Sequence, residues 1–324
     1  MKTFLGVDGG GTQTRFVLID EAGSVLASHR EGPAYYLEIG LDGLRDMLGR
    51  GIAHTLSEGQ VRAEDLSYAF LGLPAYGEDG ALLPALDAAP LQALPHRRYR
   101  CDNDMVCGWA GALAGSDGIN IVSGTGSIAY GEYAGRSARA GGWGELFSDE
   151  GSSYWLAREG LRLFSRMSDG RQPRGPLYQH VRRHFGLESD LDLCAAIYGK
   201  DIADRSRFAQ LSKVVTAAAA DGDRAALGLF ESAARELADI VDAVRGHLQI
   251  PAAVSVSVST SGGLFQPGNG LRELLESQLR QRSAQYRFVA AFLPPDLGAA
   301  IQAARLNGTP LSAKSLEVLA RALR

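Results

Sequence analysis

Twice in this chain a run of β-forming residues is cut by glycine and threonine and then resumes. Thr3 to Asp8 is apolar and extended, Gly9-Gly10-Gly11-Thr12-Gln13 interrupts it, and Thr14 to Asp20 takes the strand up again. Gly118 to Ser123 repeats the device, with Gly124-Thr125-Gly126-Ser127 as the interruption and Ile128 to Tyr133 as the return. Extended runs of β-formers bounded by such turn residues read as strands joined by tight turns. The recurrence predicts an internal structural duplication with a boundary near residue 117. At 324 residues the chain also exceeds the size at which one hydrophobic core stops growing. Two domains are therefore expected, 1–117 and 118–324, with the last helix packing back on the first domain.

The remaining pattern fits α/β domains. After a third strand at Ser24 to His29, Leu41, Leu44, Leu48, Ile52 and Leu56 share one helical face. Strands are expected at Leu66 to Leu73 and Arg98 to Cys101, and helices at Ala81 to Leu86 and Met105 to Ala114. The second half is more helical: Ser152 to Met167, Leu177 to Phe185, Phe208 to Ala220 and Arg224 to Leu248. Val254 to Thr260 is an alternating strand that ends in Ser261-Gly262-Gly263. A helix at Gly270 to Gln281, a strand at Tyr286 to Phe292 and helices at Leu297 to Leu306 and Ser315 to Leu323 complete the expectation. Strands at the start of each half followed by helices indicate α/β layers.

Composition narrows the partners. A formal charge of -4 argues against nucleic acid, whose phosphate backbone calls for a basic face. No run approaches the roughly 20 apolar residues that cross a bilayer, so no membrane partner is expected. The apolar run after Met1 is too short for a secretion signal, and Cys101, Cys107 and Cys194 lack the spacing of a zinc site or a disulfide framework. Reduced thiols in a cytoplasmic protein follow as the expectation.

Chemistry concentrates at the glycine interruptions. A phosphate needs donors that come close, and bare glycine backbone offers N–H groups with no Cβ in the way. Gly10 and Gly11 supply that backbone, Thr12 and Gln13 add side-chain groups, and Asp8 at the strand end can hold Mg²⁺ directly or through water. The segment is neither a P-loop nor a dinucleotide fingerprint, because it leads into a strand and lacks the lysine. An ordinary glycine hairpin explains one such turn; Gly124, Thr125 and Gly126 at the equivalent point of the second half favour a paired grip on one triphosphate. Gly262 and Gly263 form a third turn suited to a nucleotide, or a plain strand-to-helix turn. Asp102-Asn103-Asp104 lies between a strand and a helix. Asp104 is the candidate to accept a proton from an attacking hydroxyl, while any of the three can instead cap the helix. In Gly141 to Ser152, an aromatic ring at Trp143 stands beside carboxylates, a composition suited to a sugar, although Asp149 competes with Ser152 and Ser153 as a helix cap.

Four ordered segments, LGVDGGGTQTRFVLID, YRCDNDMVCGWAGALAG, NIVSGTGSIAYG and GGWGELFSDEGSSYWLAREGL, resemble the N-acetylglucosamine kinase and BadF/BadG/BcrA/BcrD ATPase family of the actin, Hsp70 and sugar-kinase superfamily. The resemblance implies two ribonuclease-H-like domains with a nucleotide and sugar cleft between them. It implies ATP and Mg²⁺ as cofactors, a small-molecule sugar as substrate and a homodimer. It assigns Asp8 to Gln13 and Gly124 to Gly126 to the phosphates, Gly262 and Gly263 to adenosine, and Asp104 to catalysis. Ser127, Trp143 and Asp149 fall among its sugar contacts. Where the family's N-acetylglucosamine kinases carry an asparagine before the first long helix, this chain has Tyr35. The family resemblance implies N-acetyl-D-glucosamine 6-phosphate as the product, and the segment Pro176 to Phe185, which resembles bacterial glucosamine kinases, keeps glucosamine as the alternative substrate. An ATPase that energises a partner redox enzyme is the alternative of a different class.

Overall fold

The computed structural model describes residues 1–199, 204–266, 268 and 270–322. It divides into two compact units, Met1–Asp117 with Ala290–Arg324, and Gly118–Val289.

In the first unit β1 (Thr3–Asp8), β2 (Thr14–Asp20) and β3 (Val25–Glu31) precede α1 (Tyr36–Glu58) and β4 (Tyr68–Leu73). Then come α2 (Leu83–Ala88), β5 (Tyr99–Asn103) and α3 (Met105–Ala112). The second unit runs β6 (Gly118–Ser123), β7 (Ser127–Tyr133), β8 (Arg136–Gly141), α4 (Ser153–Ser168), α5 (Pro176–Phe185) and α6 (Asp192–Tyr198). It continues with α7 (Arg205–Ala209), α8 (Ser212–Ala220), α9 (Arg224–His247), β9 (Val256–Ser261), α10 (Leu271–Arg282) and β10 (Tyr286–Val289). Helices α11 (Pro295–Leu306) and α12 (Ala313–Arg321) return to the first unit.

Each unit holds one five-stranded mixed sheet, in the orders β3-β2-β1-β4-β5 and β10-β9-β6-β7-β8. Read outward from β1 and from β6, the two are the same. Each central strand pairs antiparallel with the next strand in sequence, which pairs antiparallel with the third. On its other side the central strand pairs parallel with a later strand, which pairs parallel with the last. The glycine interruptions are thus the hairpin turns of the two central strands. The mixed α/β architecture with two sheets of ribonuclease-H-like order agrees with the expected fold class.

β1 reads as continuously apolar because helices cover both its faces. Leu5 and Val7 join Phe16, Leu44, Leu48 and Ile52 in the core under α1. On the opposite face Gly6 lets the backbone of α11 approach, since a Cβ there would run into Ala300. In the second unit Ile119, Ile121 and Val258 pack with Leu237, Val241 and Val244 of α9. That helix is capped by Asp223, whose carboxylate accepts from the amides of Ala225 and Ala226 at 2.9 and 3.0 Å.

Several expected bounds shift. α1 begins at Tyr36, five residues before the expected Leu41, because Gly40 (φ 73°) interrupts the helical dihedrals and hides the first turn. Phe208 to Ala220, expected as one helix, is two. The amides of Gln210 and Leu211 bond three residues back, to Arg207 and Phe208, and this tighter turn breaks the run. β8 had no expected counterpart. Leu323, the expected end of the last helix, lies outside the described residues. Among those described, no helix is long and apolar enough to cross a membrane.

The packing of α3 on α11 in the first unit leaves no room for a side chain. A Cβ on Gly298 would strike the backbone of Cys107 and Gly111, and one on Gly111 would stand 2.6 Å from the Pro294 carbonyl. Backbone cannot yield as a side-chain tip can, so Gly298→Ala should destabilise the protein by about 3 kcal/mol. A thermal melt reads this directly, and an unchanged midpoint would mean the helices separate without cost.

Candidate functional site

Two clusters carry the candidate residues, one in each unit. In the first, Asp8 ends β1, and the hairpin turn that follows is fixed by its glycines. The Gly9 amide donates to the Gly72 carbonyl at 2.9 Å, and a Cβ on Gly9 would stand 2.6 Å from that oxygen. Gly10 is equally constrained, with Gln13 O 2.7 Å from any added Cβ. Gly11 is different: open space surrounds it, and Thr12 and Gln13 beside it are exposed. The Ala34 amide donates to the Gly10 carbonyl at 3.0 Å and so ties the segment of Tyr35 to this turn. Tyr35 occupies the N-cap position of α1 and makes no side-chain cap bond.

Asp104 stands at the N-cap position of α3, yet it makes no side-chain cap bond either. Asn103 does that work, its Oδ1 accepting from the Met105 amide at 3.1 Å. Asp102 accepts from the Asn103 amide at 2.9 Å and from Arg100 at 3.1 Å. Of the three residues that compete for the cap in sequence, the fold therefore leaves Asp104 available for other chemistry. Gly72 is what lets it approach β1: a Cβ there would meet the Cys107 sulfur and stand 3.0 Å from the Asp104 Cα. Nothing in the sequence pattern singled out Gly72, because its role depends on pairing with Asp8 on one side and Asp102 on the other.

Electrostatics marks the same two carboxyls. Burial pushes Asp8 up to about 8, and the negative charges of Asp104 and Asp296 add to it against an opposing Arg15. Burial raises Asp104 to about 6, with Glu78 adding and the amides of Met105 and Asp104 opposing. Such displaced carboxyls are frequent where proteins do chemistry. The thiols of Cys101 and Cys107 are buried and pushed up as well, which leaves them protonated and unreactive.

In the second unit the Gly124 to Gly126 turn rests on the start of α4. The amides of Ser153 and Tyr154 donate to the carbonyls of Gly124 and Thr125 at 2.8 and 3.3 Å, and Gly124 N donates to Gly126 O at 2.9 Å. Ser123 and Ser127 are buried and hold the neighbouring turn, their hydroxyls donating to the carbonyls of Gly151 and Glu150 at 2.7 and 2.6 Å. Gly262 (φ 103°) backs directly onto this turn, since a Cβ there would meet the Ser123 carbonyl. Gly124 and Gly263, like Gly11, have no atom within 4 Å of where a Cβ would stand.

The cap of α4 is Ser152, whose hydroxyl accepts from the Trp155 amide at 3.1 Å. Asp149 is therefore not a cap. It is 1% exposed, in the left-handed region at φ 59°, and its carboxylate accepts from the Ser127 amide at 3.4 Å and from Arg205 at 2.5 Å. Trp143 is 69% exposed, with the Arg139 guanidinium 5.8 Å from its ring centre. Arg205 went unnoticed in the sequence; it reaches Glu145 at 3.0 Å as well as Asp149.

The pattern of the BadF/BadG/BcrA/BcrD ATPase family matches residues 5–303. The chain is 26% identical to the N-acetyl-D-glucosamine kinase of Dictyostelium discoideum over 311 residues, 93% of this chain and 98% of that one. It is 29% identical to the N-acetylmuramic acid/N-acetylglucosamine kinase of Clostridium acetobutylicum over 273 residues, 84% and 88% of the two chains. The crystal structure of a candidate N-acetylglucosamine kinase from Chromobacterium violaceum matches with a TM-score of 0.71 at 27% identity, covering 95% of this chain and 99% of that one.

Proposed function

The chain belongs to the BadF/BadG/BcrA/BcrD ATPase family, and from that premise we propose that it is an ATP-dependent amino-sugar kinase. Its reaction is N-acetyl-D-glucosamine plus ATP giving the 6-phosphate and ADP. The observation that carries this reading is the half-buried Asp104 carboxyl, free of the cap bond its position invites. Asp104 aims the sugar hydroxyl and takes its proton as the oxygen attacks the γ-phosphate. Amides around Gly10, Gly11, Gly124 and Gly126 donate to the phosphate oxygens, with the side chains of Thr12, Gln13 and Thr125 beside them. Gly262 and Gly263 leave room for the adenosine. Trp143 lies against the apolar face of the sugar, and Tyr35, Ser127 and Asp149 meet its polar groups.

The residues present fit Mg²⁺ delivered with the nucleotide. The Asp8 carboxyl is held protonated by burial and by the negative charges of Asp104 and Asp296, and a cation would reverse that. Among the described residues no set of three or more His, Cys, Asp or Glu forms a metal cage. Magnesium suits such a site, because it takes one or two carboxylates and fills the rest of its shell with water and phosphate. When bound it supplies positive charge to the triphosphate. The buried thiols and the use of ATP support a cytoplasmic enzyme, which we take to be a homodimer.

A coupled ADP-release assay over N-acetylglucosamine, glucosamine, N-acetylmannosamine and glucose tests the reading. ADP should appear with N-acetylglucosamine and not without sugar. Preference for glucosamine would change the substrate; release with no sugar would replace the kinase by an energising ATPase.

A further inference from the structure

Asp149 is held in an unusual way for a surface-loop residue. Its backbone lies in the left-handed region, which disfavours residues other than glycine, asparagine and aspartate. Its side chain is almost wholly removed from solvent. A buried carboxylate without a counter-charge is costly. The charge that meets it comes from Arg205, the first residue of α7, whose Nη2 donates to Asp149 Oδ2 at 2.5 Å while Nε reaches Glu145 Oε2 at 3.0 Å. A planar guanidinium can bridge two carboxylates in this fashion; an ammonium cannot hold both in fixed directions. The bridge also touches the glycine turn of the second unit. A Cβ on Gly126 would stand 2.6 Å from Arg205 Nη2 and 2.8 Å from Asp149 Oδ2. Gly126 is thus bare on the side where the ion pair lies.

We propose that Arg205 is a positioning residue for the amino sugar, clamping the Asp149 carboxylate in the orientation from which it accepts sugar hydroxyls. This rests on the kinase reading, and on Asp149 as a sugar contact within it. Two roles meet at one carboxylate. One oxygen of Asp149 is fixed by Arg205 and the other faces the Ser127 amide. The charged groups acting on Asp149 are Arg205 on α7 and Glu145 on its own loop, and Glu145 is in turn held by Arg158 of α4 through its carbonyl at 3.3 Å. Burial raises the Asp149 carboxyl, and Arg205 is the largest influence against that. Removing the guanidinium therefore leaves a carboxyl that protonates more easily and is free to turn.

Arg205→Ala should raise the sugar KM roughly 30-fold, since removing the guanidinium leaves the buried Asp149 carboxylate without its counter-charge. The larger part of the loss should fall on sugar KM rather than on ATP KM. The ratio of mutant to wild-type sugar KM should shrink as pH rises from about 6 to about 8.5, because alkali restores the carboxylate that the missing guanidinium no longer protects. Arg205→Lys should recover part of the affinity and most of the pH dependence, as it returns the charge without the fork. Asp149→Asn alone should weaken sugar binding about as much as the Arg205→Ala, Asp149→Asn double variant, because the arginine acts through the aspartate. If Arg205→Ala fails to fold by circular dichroism, Arg205→Gln carries the same readouts.

An Arg205→Ala sugar KM within twofold of wild type overturns the proposal. So does an additive double variant, or a loss that is flat with pH and not relieved by lysine, which would mark a merely structural pair. These failures differ from failure of the underlying reading. If Asp149→Asn itself keeps the normal sugar KM, Asp149 is no sugar contact, and the assignment of the site falls together with the clamp.

Discussion

Asp104→Asn lowers kcat by about 10³-fold while ATP affinity stays within about threefold. Positioned general bases contribute roughly 10²–10⁴-fold, and in phosphoryl transfer the base also aims the attacking oxygen. Asparagine keeps the shape and can still hold the hydroxyl, but it cannot take the proton. The substitution is clean because the helix loses nothing: Asn103 caps α3, and Asp104 makes no cap bond. Removing the charge should even ease the fold slightly near neutral pH, since burial disfavours the ionised form. The sign of the pH dependence follows from the same environment. With its carboxyl raised to about 6, Asp104 is mostly ionised and competent at pH 7.5, and turnover should fall as pH drops through about 6. That acid limb should vanish in the residual activity of the variant. Steady-state kinetics and calorimetric titration with a nonhydrolysable ATP analogue check both halves. A variant with near-normal kcat would remove Asp104 from catalysis.

The central strands were legible because their chemistry is unmixed. β1, β2 and β6 match their expected bounds, each apolar between a turn and a glycine. β8 was not legible: its residues, Arg136 to Gly141, offer no apolar alternation, and no residue in it is buried. It is a strand because β7 beside it supplies the pairing. α6 has no buried residue to set a period. The glycine turns could be found by their letters, but the letters could not rank competing roles. Aspartate, asparagine and serine near a helix start are all good caps, and only the fold shows that Asn103 and Ser152 cap, leaving Asp104 and Asp149 free of that duty. Arg205 was invisible for a different reason. It lies 56 residues from Asp149, ahead of the helix expected at Phe208, in a stretch with no pattern of its own. Long-range ion pairs leave no local pattern to read.

Glycines also separate the ligand-binding reading from the plain hairpin reading, because the fold explains some of them and not others. Gly11→Ala and Gly124→Ala should each raise the ATP KM roughly 10- to 100-fold with no loss of thermal stability, on the scale that a misplacement of about 1 Å costs a reacting group. Neither residue has a neighbouring atom within 4 Å of an added Cβ, and neither lies in the left-handed region. A methyl group at either place therefore meets no protein, only whatever the turn is built to admit. If the turns were merely hairpins, alanine would be neutral or stabilising by about 0.4–1 kcal/mol, since it restricts the unfolded chain. Gly9→Ala gives the opposite pattern. Its Cβ would stand 2.6 Å from Gly72 O and 3.0 Å from both Ala34 Cβ and Pro74 Cδ, so the melt should fall before binding is tested. Nucleotide titrations and melts on the three variants place each glycine in one class or the other. Unchanged ATP affinity in both Gly11→Ala and Gly124→Ala would mean that no phosphate approaches either turn, and the bare backbone would then have no use that the fold or the reaction supplies.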